Sequence, residues 1–190
     1  MPRYLFATLW LALLGATVGP MVDALHTFSG ATWYPTPQFL RSVWWCPPLF
    51  SFAAVSLGMS RVFWEKVLKA PGPSLSWAQV LGTMGAFVVC YTASGFLPVS
   101  EVLRTVLLFI AFVGAWWAWD RTALGIACAL AAGAGGWLVE HTLVGFGVFF
   151  HRETTLDGIA LWLPVLYFTA AIAIGALARK LTYLQASTAP

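Results

Sequence analysis

The stretch Ala115-Trp116-Trp117-Ala118-Trp119-Asp120-Arg121 lies between two apolar segments, residues 105–114 and 123–139. Tryptophan favours the boundary between hydrocarbon and water, because its ring is apolar and its N–H needs a partner. The stretch therefore predicts a hinge of two residues, Asp120 and Arg121, that joins two membrane helices at such a boundary. Two interpretations stay open: an ordinary tight turn with an aromatic belt, or a contact for a partner or ligand centred on Asp120.

The composition of the whole chain also indicates a membrane protein. Of its 190 residues, 60% are hydrophobic and 9% are charged, and the mean hydropathy is +0.81. Soluble domains carry about 25% charged residues, and a soluble fold of this length cannot bury so much apolar surface. The polar residues stand in short clusters between long apolar runs, which indicates spanning helices rather than the short alternating segments of a barrel. We therefore predict an all-α polytopic membrane protein.

The polar clusters divide the chain into six predicted spans, which form a single transmembrane domain over residues 1–190 as a six-transmembrane-helix bundle. The spans cover about residues 4–22, 45–63, 77–97, 102–119, 122–145 and 161–181. Residues 23–41 are expected to form a loop. Pro47 and Pro164 favour the first turns of spans two and six. Ser100 is a candidate cap for span four.

Six spans place both termini on the same side of the membrane. With that side taken as cytoplasmic, seven of the ten basic residues face the cytoplasm, as the positive-inside rule favours. These are Arg3, Arg61, Lys66, Lys69, Arg121, Arg179 and Lys180. The expected location is the inner membrane of a bacterial cell or, in a eukaryote, the endoplasmic reticulum.

The sequence contains no pattern typical of an enzyme or a metal site. The net charge of +3 includes no basic block, so nucleic acid is not an expected partner. Cys46, Cys90 and Cys128 lie in apolar runs without metal-ligand spacing, and we interpret them as small buried hydrophobes. The motifs of hydrolases, zinc proteases and nucleotide-binding proteins are absent. We expect no catalytic residue, no metal and no cofactor, but a bound lipid.

Ionisable residues inside a membrane are costly and are functional candidates by default. Glu140 and His141 follow Arg121 by 19 and 20 residues, so at about 1.5 Å rise per residue they reach the far boundary of the hydrocarbon. They are either interfacial side chains wetted by water or groups that bind the polar head of a ligand. Arg104 lies near the same surface and is expected to pair with Glu140. A membrane enzyme of lipid metabolism that uses Glu140 and His141 is an alternative.

The spans themselves favour a cavity for an apolar molecule. Residues 127–136 are nearly all alanine or glycine, which either lets helices pack closely or leaves room for a ligand. Nearly all charges lie at span boundaries, which points away from an ion-coupled transporter. A cavity in such a bundle suits a hydrophobic molecule with a small neutral head.

Four motifs resemble the insulin-induced gene (Insig) family of sterol-responsive membrane proteins. SVWWCPP at residues 42–48 is similar to the family's Ser-x-Trp-Trp-x-Pro-Pro, and AWWAWDRT at residues 115–122 to its Leu-Trp-Trp-Thr-Phe-Asp-Arg-Ser. WLP at residues 162–164 matches the family's Trp-Leu-Pro, and GALARKL at residues 175–181 follows at the spacing of its Gly-Asn-Ile-Gly-Arg-Gln-Leu. The resemblance covers about residues 40–181.

This resemblance implies a non-enzymatic lipid sensor. Eukaryotic Insig proteins bind oxysterols within the bundle, retain the escort protein Scap in the endoplasmic reticulum and help to degrade HMG-CoA reductase. Asp120 matches the family aspartate needed for Scap binding, and we assign Trp116 and Trp117 to the same partner surface. Phe87 and Tyr91 fall on the span that helps to form the sterol pocket. The predicted ligand-binding residues are Phe87, Tyr91, Arg104, Glu140, His141 and Trp162.

Two departures from the family pattern concern the ligand. Leu103 stands near the position of a sterol-contacting glutamine, and Phe149-Phe150-His151-Arg152 replaces a Tyr-Gln-Tyr-Thr-Ser-Pro-Asp pattern. The compact chain resembles a bacterial homologue, and for such a homologue we expect a neutral glycerolipid such as diacylglycerol as the ligand. The predicted function is therefore the binding or sensing of a neutral lipid, sterol or diacylglycerol-like. A membrane-protein partner and a homo-oligomer stay open, as does a scaffold that recruits another protein through Asp120.

Overall fold

Six long helices make up most of the molecule in a computed structural model that describes residues 3–187. The helices are α1 Arg3–Ser29, α2 Cys46–Val67, α3 Trp77–Phe96, α4 Glu101–Trp119, α5 Ala123–Gly145 and α6 Leu163–Ser187. All six are long and apolar enough to cross a membrane. The predicted all-α, six-helix membrane bundle is therefore confirmed.

The two ends of the bundle differ, and each is named here for what it carries. The terminal end holds the start of α1, the end of α6 and the loops after α2 and α4. The ribbon end holds a short antiparallel ribbon, in which β1 (Thr32–Trp33) pairs with β2 (Phe150–His151). This ribbon ties the loop after α1 to the loop after α5.

Sequence signals place most helix starts correctly. Pro47 lies in the first turn of α2, where its missing N–H has no intrahelical role. The Ser100 hydroxyl accepts a hydrogen bond from the Leu103 N–H and caps α4, as predicted. Ser76 and Gln79 form a reciprocal capping box at the start of α3.

The first helix continues beyond its predicted end. α1 runs through Pro20 to Ser29, so the expected loop at residues 23–41 is wrong for its first seven residues. Asp23 and His26 belong to this extension, and both side chains are only 3% exposed. The helix can continue because these polar groups find hydrogen-bond partners within the bundle. The extension brings two polar side chains into the protein interior.

The last helix forms the centre of the bundle. α6 contacts all five other helices, and 78% of its apolar window is buried, against 22% for α4. Small residues allow this central position, because the backbone of α5 approaches the aromatic rings of α6 closely. A Cβ at Gly133 would lie 2.3 Å from the Phe168 ring, and one at Gly136 would lie 2.4 Å from the Tyr167 ring. All three cysteines are free. Cys46 and Cys90 are buried as predicted, whereas Cys128 is only partly buried.

Helices α1 and α2 pack closely at Gly15. A Cβ built at Gly15 would lie 2.4 Å from the Phe50 carbonyl oxygen, a backbone atom that cannot move independently. We therefore expect Gly15→Ala to lower the free energy of unfolding by about 1–3 kcal/mol through overpacking. Gly114 has open space around it, so Gly114→Ala is expected to be neutral or to stabilise by up to about 1 kcal/mol. Equilibrium unfolding in mixed micelles measures both, and equal effects would contradict this packing.

Candidate functional site: a lipid-facing cavity

A cavity of about 660 Å³ lies among α1, α2, α5 and α6, and α3 completes its wall near the ribbon end. α2 and α5 contact each other only sparsely and leave a slot between them. Lining side chains such as Phe52, Trp64 and Leu68 are also exposed on the outside of the bundle. The cavity therefore opens sideways, toward the region that lipid occupies in a membrane.

The lining of the cavity changes character from one end to the other. Near the ribbon end it carries six polar side chains, which are Asp23, His26, Tyr34, Tyr91, Glu140 and Tyr167. Toward the terminal end the lining is mostly aliphatic and aromatic, with the hydroxyls of Ser56 and Ser60 as the main polar exceptions. No lysine or arginine of residues 3–187 lines it. Such a cavity fits an elongated apolar molecule with one polar end.

Asp23 is the centre of a hydrogen-bond cluster at the polar end. The Tyr34 hydroxyl donates to its Oδ2 at 3.1 Å, the Ser42 hydroxyl at 3.2 Å and the Cys46 thiol at 3.7 Å. Burial is the main reason that the pKa of the Tyr34 phenol lies far above its usual value, and the nearby Asp23 carboxylate raises the pKa further. Tyr34 therefore keeps its proton and acts as a donor to Asp23.

His26 is held by α3. Its Nε2 lies 2.7 Å from the Ser94 hydroxyl and 3.1 Å from the Tyr91 carbonyl oxygen. The imidazole also stacks on the Tyr91 ring, with centroids 3.9 Å apart. α1 and α3 are thus fixed to each other at the polar end of the cavity.

Glu140 has a partner on each of its oxygens. The Tyr167 hydroxyl donates to Oε1, and His151 Nε2 lies near Oε2, both at 2.8 Å. His151 belongs to β2, so this contact joins the ribbon to the cavity wall. The structure therefore places Glu140 at the polar end of the cavity, and its ligand-binding role stays a prediction.

The predicted ligand residues divide into two groups. Phe87, Tyr91 and Glu140 line the cavity, whereas Arg104, His141 and Trp162 do not. The expected pair between Arg104 and Glu140 is wrong. Arg104 Nη1 instead lies 2.7 Å from Glu153 Oε2, and Nη2 donates to the backbone carbonyls of Leu97 and Val99, which follow α3. These partners together engage both terminal nitrogens of the Arg104 guanidinium, so neither is left to pair with Glu140.

His141 and Trp162 have other surroundings. His141 stacks on Trp137 and contacts the Asp157 carbonyl oxygen at 3.2 Å. It points away from Glu140 because neighbouring residues on a helix are about 100° apart. Trp162 is 1% exposed in the core, and its indole donates to Glu153 at 2.8 Å. The sequence analysis missed Asp23, His26 and Tyr34, although the spacing of Asp23 and His26 would have placed both on one helix face.

A second cluster of charged groups lies at the terminal end. Arg61 contacts Glu65 at 2.8 Å and Asp120 at 2.9 Å, and Arg179 lies 3.5 Å from Glu65 and 3.8 Å from Asp120. All four residues are at most 4% exposed. This terminal cluster joins α2, α6 and the turn between α4 and α5 through two cations and two carboxylates.

The predicted hinge after Trp119 is present, but Asp120 faces inward. Its carboxylate also accepts hydrogen bonds from the Thr122 hydroxyl and backbone N–H. Trp116 is partly buried and donates to the Thr122 carbonyl at 3.0 Å. Trp117 is 62% exposed, and the Arg121 guanidinium lies 5.3 Å from its ring centroid. The partner-binding role stays a prediction, and Trp117 is the residue of this surface on which it can be tested.

The fold and the cavity define a class of protein: a helical membrane bundle with a laterally open, amphipathic cavity. The chain belongs to the insulin-induced protein (INSIG) family, whose model matches residues 6–182. The resemblance seen in the four motifs is therefore confirmed.

Curated relatives and solved structures agree with this family. The chain is 26% identical to the insulin-induced gene 1 protein of Gallus gallus over 90% of its own length and 70% of the relative's. It is also 26% identical to the Homo sapiens protein, over 94% and 66% of the two lengths. The crystal structure of MvINS, a mycobacterial Insig homologue from Mycobacterium vanbaalenii, has 29% identity and a TM-score of 0.80, covering 90% of this chain and 92% of that one. The crystal structure of a cross-linked MvINS trimer has the same sequence identity and TM-score, and the match covers 97% of this chain and 96% of that one.

Proposed function

We propose that this protein binds a neutral membrane lipid in the cavity and acts as a non-enzymatic lipid sensor. The observation that carries the proposal is the cavity itself, which is apolar over most of its length, open toward lipid and polar at one end. Its volume of about 660 Å³ lies within the range typical of ligand sites, about 300–1,000 Å³. The head of the ligand would lie at the ribbon end.

The length of the cavity favours an extended lipid. The lining follows α2 from Leu49 to Leu68, a rise of about 28 Å at 1.5 Å per residue. This is close to the hydrocarbon thickness of a bilayer, about 30 Å. A diacylglycerol-like lipid and a sterol are both elongated enough to use it.

The charges at the polar end favour a neutral head. Asp23 and Glu140 both line the cavity, and no lysine or arginine of the described residues does. A phosphate or carboxylate head would meet two carboxylates without a cation to compensate. By the distribution of basic residues, we also place the terminal end in the cytoplasm and the polar end of the cavity near the opposite leaflet.

The contacts of Glu140 and His141 argue against the alternative of a membrane enzyme of lipid metabolism. It depended on Glu140 and His141 acting together, yet His141 does not line the cavity and its side chain contacts Asp157. Glu140 instead holds Tyr167 and His151. The contacts of Glu140 fix the cavity wall and do not form an acid–base pair with His141.

A matched pair of variants on α5 tests the proposal. Ala131 lines the cavity and has no protein side chain over it, whereas Ala134, also exposed, does not line it. We expect Ala131→Trp to lose most of its crosslinking to a photoactivatable diacylglycerol or sterol, because the indole fills the cavity. Ala134→Trp adds the same ring on the outer surface and is expected to crosslink like the unmodified protein. Equal labelling of both variants would overturn lipid binding in this cavity.

A further inference from the structure

We propose that Asp23 selects the head group of the ligand: it accepts a hydrogen bond from a hydroxyl-bearing lipid and excludes lipids with an anionic head. This inference rests on the proposed function and adds the chemistry by which the same cavity chooses among lipids. Three features support it: a carboxylate oxygen without a protein partner, a phenol without a partner in the same lining, and a lining that holds no lysine or arginine of residues 3–187.

The free oxygen is Oδ1 of Asp23. All three protein donors, from Tyr34, Ser42 and Cys46, reach the other oxygen, Oδ2. Oδ1 has no hydrogen-bond partner within residues 3–187, although Asp23 is only 3% exposed and lines the cavity. Oδ1 is thus an acceptor in the lining that no protein donor satisfies, so a ligand that brings a donor gains affinity there.

Glu140 does not offer an equivalent oxygen. Tyr167 occupies Oε1 and His151 occupies Oε2, each at 2.8 Å. Of the two carboxylates at the polar end, Asp23 is therefore the one with an oxygen that no group of residues 3–187 contacts by a hydrogen bond. Three donors on Oδ2 fix the orientation of the Asp23 carboxylate. Oδ1 is therefore already in place as an acceptor before a lipid enters.

Tyr91 supplies a second available group. It lines the cavity, and its hydroxyl makes no hydrogen bond within the part of the chain that the structure describes. Stacking on His26 fixes the Tyr91 ring. A phenol can donate as well as accept, so it complements a head that has an acceptor next to its hydroxyl, as the glycerol hydroxyl and ester of a diacylglycerol do.

The negative charge of Asp23 determines which head groups are favoured. A hydroxyl that donates to a carboxylate forms a charge-assisted hydrogen bond, which is stronger than one between neutral groups. A carboxylate head would bring a like charge to Asp23, and a methyl ester would leave Oδ1 without a donor. We therefore expect the alcohol and the amine to bind with much higher affinity than the acid and the ester.

The test compares lipids that share one oleyl chain and differ in the head. Oleyl alcohol, oleylamine, oleic acid and methyl oleate compete against a photoactivatable diacylglycerol for the purified full-length protein in detergent. We expect the alcohol and the amine to bind about ten- to a hundredfold more tightly than the acid and the ester, the range for a hydrogen bond to a charged group. Asp23→Asn is expected to reduce the preference for alcohol over acid by about tenfold, because it removes the charge and keeps the shape.

A control variant disturbs the same cluster without touching the free oxygen. Ser42→Ala removes one donor to Oδ2 at a residue that does not line the cavity, and it is expected to keep the preference of the unmodified protein. If Asp23→Asn does not fold, the order of affinity of the four lipids for the unmodified protein still tests the proposal. Equal competition by alcohol and acid would overturn the role of Asp23 while lipid binding stands. Absence of competition by all four, together with equal labelling of Ala131→Trp and Ala134→Trp, would overturn both proposals.

Discussion

Replacing Arg61 with methionine is expected to lower the free energy of unfolding by about 3–5 kcal/mol, the usual effect of removing one partner from a buried ion pair. Arg61 is 2% exposed and is the cation nearest to both carboxylates of the terminal cluster. Arg179 lies farther from each of them, at 3.5 and 3.8 Å. It can therefore compensate for only part of the loss. Equilibrium unfolding in mixed micelles provides the measurement.

Arg121→Met is the matched control for this prediction. Arg121 is exposed, lies next to Asp120 in the chain and contacts Trp117 rather than the cluster. Its replacement is expected to change the free energy of unfolding by less than about 0.5 kcal/mol. A small change for both variants would mean that the terminal cluster contributes little to stability. Since Asp120 belongs to this cluster, a partner-binding test should use Trp117→Ala rather than Asp120→Ala.

The second large effect is expected at Trp162. Truncation to alanine removes a side chain that is 1% exposed and an indole hydrogen bond to Glu153. We expect a loss of about 3–5 kcal/mol in the free energy of unfolding, as for other large buried aromatic residues. Trp44→Ala, at a site 70% exposed, is expected to have a much smaller effect in the same unfolding measurement.

Trp162→Phe separates a packing role from the ligand role predicted by sequence. Trp162 does not line the cavity, but its ring lies 5.1 Å from that of His26, which does. Phenylalanine keeps an aromatic ring against His26, so lipid crosslinking is expected to persist in this variant. Loss of crosslinking in a folded Trp162→Phe protein would instead return Trp162 to the ligand-binding residues.

The fold was predictable because membrane helices are set by apolar length and by their caps. Pro47 and Ser100 act through local backbone hydrogen bonds, so neighbouring residues are enough to locate them. The end of α1 could not be located in this way. Its extension beyond Pro20 depends on Asp23 and His26 finding partners on other segments, and His26 bonds Ser94 at a separation of 68 residues.

The candidate site was predictable only in part for the same reason. Tyr91 lies on a span that the family resemblance assigned to the sterol pocket, and Glu140 was a candidate because it is an ionisable residue near the boundary of the hydrocarbon. The orientation of Asp120 depends on Arg61, 59 residues away, and no local pattern shows that its carboxylate faces inward. The prediction of Arg104 as the partner of Glu140 was also wrong. The partner is His151, which the β ribbon brings to Glu140.

The most direct measurement is the identity of the lipid that co-purifies with the unmodified protein in mild detergent. Mass spectrometry of the extracted lipids should find a neutral, hydroxyl-bearing lipid enriched well above its share of the source membrane. The enrichment should disappear in Ala131→Trp and persist in Ala134→Trp. Bulk phospholipids alone, in the proportions of the membrane and equal in both variants, would contradict the assignment of this cavity as a neutral-lipid site.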